Sequence, residues 1–293
     1  MSQQTMKTVL DEYRRELEDH FDRILLDKEI PGSLTEAMRY SLNAGGKRIR
    51  PVLCLVWHEL CGGNRGDIMD FAAALELIHT YSLVHDDLPA MDDDAVRRGQ
   101  PSNHARFGEP LAILAGDGLL TEAVHLMLGV GADPSRVVSA SREVTRAAGP
   151  RGMVGGQVLD MALSGAPPRE LEELKTMHGM KTGAMLRAAC TSGAILAGAS
   201  HRDLERADHY GDNLGLAFQV ADDILDIEGD EAKLGKPVGS DEQMQKSTYP
   251  GLLGLEPSRR MGQDLAERAV EAINGYSGDR AEFLADLARY VIY

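Results

Sequence analysis

IMDFAAALELIHTYSLVHDDLPAMDDD, residues 68–94, is an apolar run that ends in two groups of aspartates separated by a proline. Ile68 to Val84 reads as one long helix, because Ala, Leu and Met favour that state and no apolar–polar alternation competes for a strand. Working outward, apolar residues recur at helical spacing from Thr5 to about Leu26, and Pro31 with Ser33-Leu34-Thr35-Glu36 marks another start. That helix is expected to stop at Gly45-Gly46. Pro51 fits the first turn of the next, which Gly62-Gly63 ends. Segments 109–129, 135–148, 169–197 and 201–228 read likewise, whereas 88–108 and 229–248 are polar and punctuated by Gly and Pro. With no fixed-period repeat, low-complexity tract or long linker, residues 1–293 are expected to form one all-α domain, a single large helical bundle.

Composition agrees: 43% of residues are hydrophobic but only 5% aromatic, a mixture suited to packed helices. The formal charge of -15 argues against nucleic acid as a partner, since that binding depends on clustered Lys and Arg. Cys54, Cys61 and Cys190 are odd in number and lack metal-type spacing, so free thiols in reducing cytosol are expected. The charged N-terminus, and the absence of any run approaching the roughly 20 apolar residues of a bilayer span, point to a soluble cytoplasmic chain with no membrane partner.

The acidic residues are clustered as well as scattered. His85-Asp86-Asp87-Leu88-Pro89-Ala90-Met91-Asp92-Asp93-Asp94 concentrates carboxylates that raise one another's pKa unless a hard cation such as Mg²⁺ occupies them. In Gln219-Val220-Ala221-Asp222-Asp223-Ile224-Leu225-Asp226, a separation of four places Asp222 and Asp226 on one helix face, roughly 6 Å apart at Cβ. Mg²⁺ takes one or two carboxylates and completes its shell with water and phosphate oxygens, so two carboxylate faces suggest a diphosphate held between them. One such cluster in an acidic protein is ordinarily a solvated surface. Two, each closing an apolar helix and each followed by a polar loop, are harder to dismiss, and neither has EF-hand spacing.

Basic groups shadow the acids. Asn43-Ala44-Gly45-Gly46-Lys47-Arg48-Ile49-Arg50-Pro51 sets three cations and flexible backbone at a helix start, where free N–H groups favour phosphate. Arg97-Arg98-Gly99 follows the first cluster, Lys181-Thr182-Gly183 lies in a helical segment, and Lys233-Leu234-Gly235-Lys236 follows the second. Arg offers a planar fork to phosphate oxygens and Lys a mobile charge. His79, two turns before Asp86, can reach the same cavity, although a core histidine is the blander reading.

Taken in order, GGKRIRP, DDLPAMDD, RRG, GGQxxD (Gly155 to Asp160), KTG, FQxxDDxLD and KST (Lys246 to Thr248) make nearly the whole chain resemble the trans-prenyl diphosphate synthases, of the bacterial farnesyl type. The resemblance implies helices around a central cavity with the aspartate motifs facing across it. It implies that Asp86, Asp92 and Asp222, completed by Asp87, Asp223 and Asp226, hold three Mg²⁺ ions, with Mn²⁺ as a substitute. It assigns the allylic diphosphate to Arg97, Lys181, Gln219 and Lys236, cation stabilisation to Thr182 and Gln219, and isopentenyl diphosphate to Lys47, Arg50, Arg98 and His79. It also implies a homodimer.

Residues five and four before Asp86 are Tyr81 and Ser82, about one helical turn deeper along the cavity wall. An aromatic there, with four residues between the DD pair and Asp92, resembles farnesyl synthases; Tyr81 would be the floor and Ser82 would leave room beside it. The alternatives are a geranylgeranyl synthase and a class I terpene cyclase. A cyclase needs no second diphosphate site and usually carries an NSE-like second metal motif rather than DDILD.

Overall fold

The computed structural model describes residues 3–26, 28–163, 170–229 and 248–292. The chain runs α1 (Gln3–Phe21), α2 (Gly32–Leu42), α3 (Ile49–Leu60), a 3₁₀ turn (Arg65–Ile68) and α4 (Met69–Asp86). A two-residue ribbon, β1 (Val96–Arg97) with β2 (Gln100–Pro101), leads into α5 (Asn103–Phe107), α6 (Glu109–Gly129), α7 (Pro134–Ala148) and α8 (Met153–Leu163). Then come α9 (Leu171–His178), a π-helical turn (Gly179–Gly183), α10 (Ala184–Ala197) and α11 (His201–Glu228). Last are α12 (Tyr249–Leu253), α13 (Leu255–Ala272) and α14 (Asp279–Tyr290). The fold is all-α, a helical bundle with one two-residue ribbon among the described residues.

α4 is apolar on every side and accordingly lies in the middle, against α6, α3 and α2, with Phe71, Leu75, Leu77 and Ile78 fully buried. α10 packs on α3, α7 and α11, and α11 on α10 and α13. Trp57 on α3 is wedged edge-on between Tyr210 and Tyr276, and the Tyr210 hydroxyl donates to Leu284 O at 2.9 Å, joining α3, α11 and α14. Helix starts follow local chemistry. Asp133 accepts from the N–H groups of Ser135 and Arg136 ahead of Pro134, and Ser200 accepts from Asp203 N–H.

α4 and α11 end at the two aspartate clusters, while α3 begins at the basic turn, so the three meet at one pole of the bundle. Four expectations change. The first helix ends at Phe21 rather than Leu26, and the helix expected at 169–197 is broken by the π turn at Gly179–Gly183. α8 and α12–α14, unassigned from sequence, are helical. α6, at 21 residues, is long and apolar enough by length and composition to span a bilayer, correcting the expectation that no run approaches one. A third of its most apolar window is buried, and Ile113, Leu114 and Leu128 face outward.

Candidate active site

The first cluster is built by a tight return. After α4 stops, Met91 N–H donates to Leu88 O (2.8 Å), Asp92 N–H to Asp86 O (2.9 Å) and Asp93 N–H to Leu88 O (3.1 Å), so Asp92 comes back beside Asp86. Asp93 takes a left-handed φ of 54° to make that turn. Burial drives the Asp86 pKa up to about 6, and Asp92 and Asp87 add to it, while Lys181 is the largest opposing influence. A carboxylate held in this state fits a divalent cation, which would stabilise its charged form. Among the described residues no three Asp, Glu, His or Cys side chains converge closely enough to hold a metal by themselves. The donor set therefore suits an ion that completes its shell with phosphate oxygens.

This coupling predicts opposite effects of one substitution. Because the folded pKa of Asp86 lies above its unfolded value, the stability that its protonated form contributes is present below about pH 4 and lost as pH rises through about 6. Asp86→Asn should then stabilise the metal-free protein at pH 7.5 by on the order of 2 kcal/mol, with the gap closing toward pH 4, while removing turnover. Urea denaturation at the two pH values measures it; a variant less stable than the parent at pH 7.5 would contradict the account.

Asp87 is nearly buried and accepts from Arg97, whose Nε donates at 2.9 Å and whose Nη2 contacts both Asp87 and Asp94. Arg97 and Arg98 are adjacent yet point apart. Gln100 pairs with Arg97 across a two-residue hairpin whose turn residues, Arg98 (φ 54°) and Gly99 (φ 78°), both take positive φ. Arg98 therefore turns away, donating to Gly45 O, and its guanidinium lies so near Gly46 that a Cβ there would sit 2.8 Å from it. Tyr40 OH to Pro101 O and Asn103 Nδ2 to Ala37 O, both 2.8 Å, tie this part of the 88–108 segment to α2.

A cavity of about 270 Å³ is lined by Lys47, Arg50, His79, Arg98, Thr182 and Asp222, together with Gly46, Arg48, Ile49, Glu76, Leu186 and Phe218. All four cationic and imidazole groups assigned to the second diphosphate thus share one space with Thr182 and with the first residue of the second cluster. Arg50 Nε is buried and finds no hydrogen-bond partner among the described residues. Lys47 Nζ rests 5.4 Å above the Phe218 ring. Burial and then Arg50, Arg98, Arg48 and Arg97 push the His79 pKa well below its ordinary value, so the imidazole is neutral. Arg48 instead turns inward: both it and Glu76 are essentially buried, and it donates to Glu76 at 2.8 Å and to Leu42 O at 2.7 Å.

Lys181 and Thr182 ride on the π turn, and Lys181 Nζ donates to Asp160 of α8. Two glycines let this turn fit. A Cβ on Gly156 would stand 2.5 Å from Lys181 Cα, and one on Gly215 2.6 Å from Gly183 Cα, so α8 and α11 close on it from two sides. A π turn inside a helix commonly marks a functional position. On α11, Gln219 and Asp222 are half-buried, Asp223 and Asp226 buried, and the Asp223 carboxylate accepts from Tyr249 N–H at 2.9 Å, fastening α12. Tyr81 is buried on α4, and Ser82 Oγ donates to His79 O at 2.8 Å. Lys236, and with it Lys233 and Lys246, lies outside the described residues. Sequence reasoning gives no role to Gly215 or Glu76, and reaches Gly156, Asp160 and Phe218 only as members of the GGQxxD and FQxxDDxLD motifs.

Comparison with known proteins converges on one family. The polyprenyl synthetase family model matches residues 31–279. The chain is 47% identical over 275 residues to a geranylgeranyl diphosphate synthase of Cyanophora paradoxa, covering 91% of each chain. It is also 47% identical over 258 residues to a farnesyl diphosphate synthase of Geobacillus stearothermophilus, covering 87% of this chain and 86% of that one. The crystal structure of an FPP/GFPP synthase from Zymomonas mobilis superposes with a TM-score of 0.88 at 32% identity, over 99% of this chain and 100% of the other. The chain belongs to the polyprenyl synthetase family and is a prenyltransferase of isoprenoid chain elongation.

Proposed function

We propose that residues 1–293 form one prenyl diphosphate synthase domain that condenses isopentenyl diphosphate head-to-tail with dimethylallyl and then geranyl diphosphate, giving farnesyl diphosphate. The reaction rests above all on the cavity that gathers Lys47, Arg50, His79 and Arg98 with Thr182 and Asp222. Relatives of both product lengths match at equal identity, so the C15 assignment rests on Tyr81, the bulky side chain one turn below Asp86.

In this reading Asp86, Asp92 and Asp222 hold Mg²⁺, three ions with Mn²⁺ as a substitute. Asp87, Asp223 and Asp226 orient the clusters through Arg97, Tyr249 N–H and the buried face of α11. When bound, the ions supply positive charge that stabilises the departing diphosphate. Arg97, Lys181, Gln219 and Lys236 grip the allylic diphosphate, and Lys181, steadied by Asp160, shares the charge that develops as the C–O bond breaks. Oxygens of Thr182 and Gln219 face the allylic cation. Lys47, Arg50 and Arg98 hold isopentenyl diphosphate, and neutral His79 adds a hydrogen bond without a further charge. The double bond attacks the cation, and the departed diphosphate takes the proton. Closing of the polar segment 88–108 over the substrates would keep water from quenching the cation; the second polar segment expected to share this role lies, but for Gly229 and Thr248, outside the described residues.

We assign a homodimer, supported by the outward apolar residues Ile113, Leu114 and Leu128 of α6, and the cytoplasm, supported by the free buried thiols of Cys54 and Cys190. Purified protein given dimethylallyl and isopentenyl diphosphates with Mg²⁺ should yield mainly C15 after dephosphorylation and sizing. Tyr81→Ala should make C20 or longer the main product. Dominant C20 from the unmodified protein would sink the farnesyl assignment, and cyclised products would favour the cyclase.

A further inference from the structure

Tyr81 does not stand alone at its depth. His85, one turn later on α4, presents its imidazole edge-on to the Tyr81 ring, with centroids 5.7 Å apart and planes at 83°. That imidazole is itself seated on α6. Its Nε2 lies 3.0 Å from Ile113 O, and it rests directly over Gly116, where a Cβ would come 2.9 Å from His85 Cε1 and nearer still to Cδ2 and Nε2. Gly116 is buried within α6, so the bare backbone at this point is what gives the ring its place. The contact chain runs from α6 backbone to His85 to Tyr81.

We infer that His85 is a positioning residue for product length: locked against Ile113 O and Gly116, it fixes the ring of Tyr81 across the path of the growing hydrocarbon. The inference rests on the reading of Tyr81 as the floor. An edge-to-face aromatic pair restricts both rings, and losing one partner frees the other to sample further rotamers. A tyrosine that swings aside lets one more C5 unit pass. His85 precedes Asp86 in sequence, so its effect has to be separated from any effect on the first cluster; a ratio of products formed by the same active sites does this, because a uniform loss of rate cancels.

The test compares the C20:C15 ratio of the unmodified protein with that of His85→Ala, Gly116→Ala, Tyr81→Ala and the double variant Tyr81→Ala/His85→Ala, with dimethylallyl and isopentenyl diphosphates as substrates. In Gly116→Ala the clash falls on side-chain atoms, so the imidazole leaves its seat while the α4–α6 pair stays. His85→Ala and Gly116→Ala should each raise the ratio about threefold to tenfold, the population change that one aromatic pair carries. The double variant should match Tyr81→Ala alone, since His85 acts only through Tyr81. A C15-forming parent whose Tyr81→Ala lengthens the product while His85→Ala or Gly116→Ala keeps the parent ratio overturns the role of His85 and leaves the floor intact. A double variant longer than Tyr81→Ala overturns it too. An unchanged Tyr81→Ala overturns the floor reading and this inference with it.

Discussion

Gly156→Ala is expected to lower kcat by about two orders of magnitude while the protein stays folded. The methyl group would stand against the backbone of Lys181, which cannot rotate away as a side-chain end can. Gly215 closes on the other side of the π turn, so the turn has no room to retreat. A shift of about 1 Å in a catalytic group costs on the order of a hundredfold in rate, and here the displaced groups are the Lys181 ammonium beside Asp160 and Asp86, and the Thr182 hydroxyl. Overpacking should also cost about 1–3 kcal/mol of stability. Gly179→Ala is the matched control, because a Cβ there meets nothing within 4 Å; its kcat should stay near the parent value. Equal losses in the two variants would show that helix propensity, not the pinch, governs the turn.

Arg48→Met should destabilise the fold by about 3–5 kcal/mol. Removing the guanidinium takes the paired donor from the Glu76 carboxylate, whose side chain is 2% exposed, and leaves it only the longer-range charges of Arg50 and Arg98. Leu42 O would lose its donor at the end of α2 as well. The double variant Arg48→Met/Glu76→Leu removes both charges, and an apolar pair of similar volume should recover most of the loss. Urea denaturation of the three proteins measures this. The chain between Leu42 and Arg48 carries Gly45, Gly46 and Lys47, so the single variant should also raise KM for isopentenyl diphosphate. A double variant no more stable than Arg48→Met would show that the pair contributes through more than mutual neutralisation.

Much of this protein is legible along the chain because its signals are local. Apolar runs with Gly and Pro punctuation locate α4, α6, α7 and α11, and the two aspartate clusters and the basic turn are contiguous residues. Direction is what a linear reading misses. Asp86 and Asp87 are neighbours, as are Asp222 and Asp223, yet Asp87 is taken by Arg97 and Asp223 by Tyr249 N–H. Lys47, Arg48 and Arg50 form one basic run, yet among the described residues it is Arg48 that pairs with a buried acid, Glu76, whose position on α4 no local pattern reveals. Arg97 and Arg98 diverge because Arg98 adopts a positive φ before Gly99. The break in 169–197 had a visible cue in Gly179 and Gly183, but whether such glycines end a helix or widen one turn depends on Gly156 and Gly215 from other helices.

The pole where α3, α4 and α11 meet sets charge against the helix dipoles. Asp86 and Asp87 close α4, and Asp222, Asp223 and Asp226 crowd the last two turns of α11, all at negative ends; Lys47, Arg48 and Arg50 gather at the positive end of α3. Each group occupies the end least favourable to it. Divalent ions at the carboxylate ends and a diphosphate at the start of α3 satisfy side chains and peptide dipoles together, so the ligands sort themselves by sign before any shape is read. Binding and folding are therefore linked, with substrate and metal stabilising the native state by an amount that grows with the logarithm of their concentration over Kd.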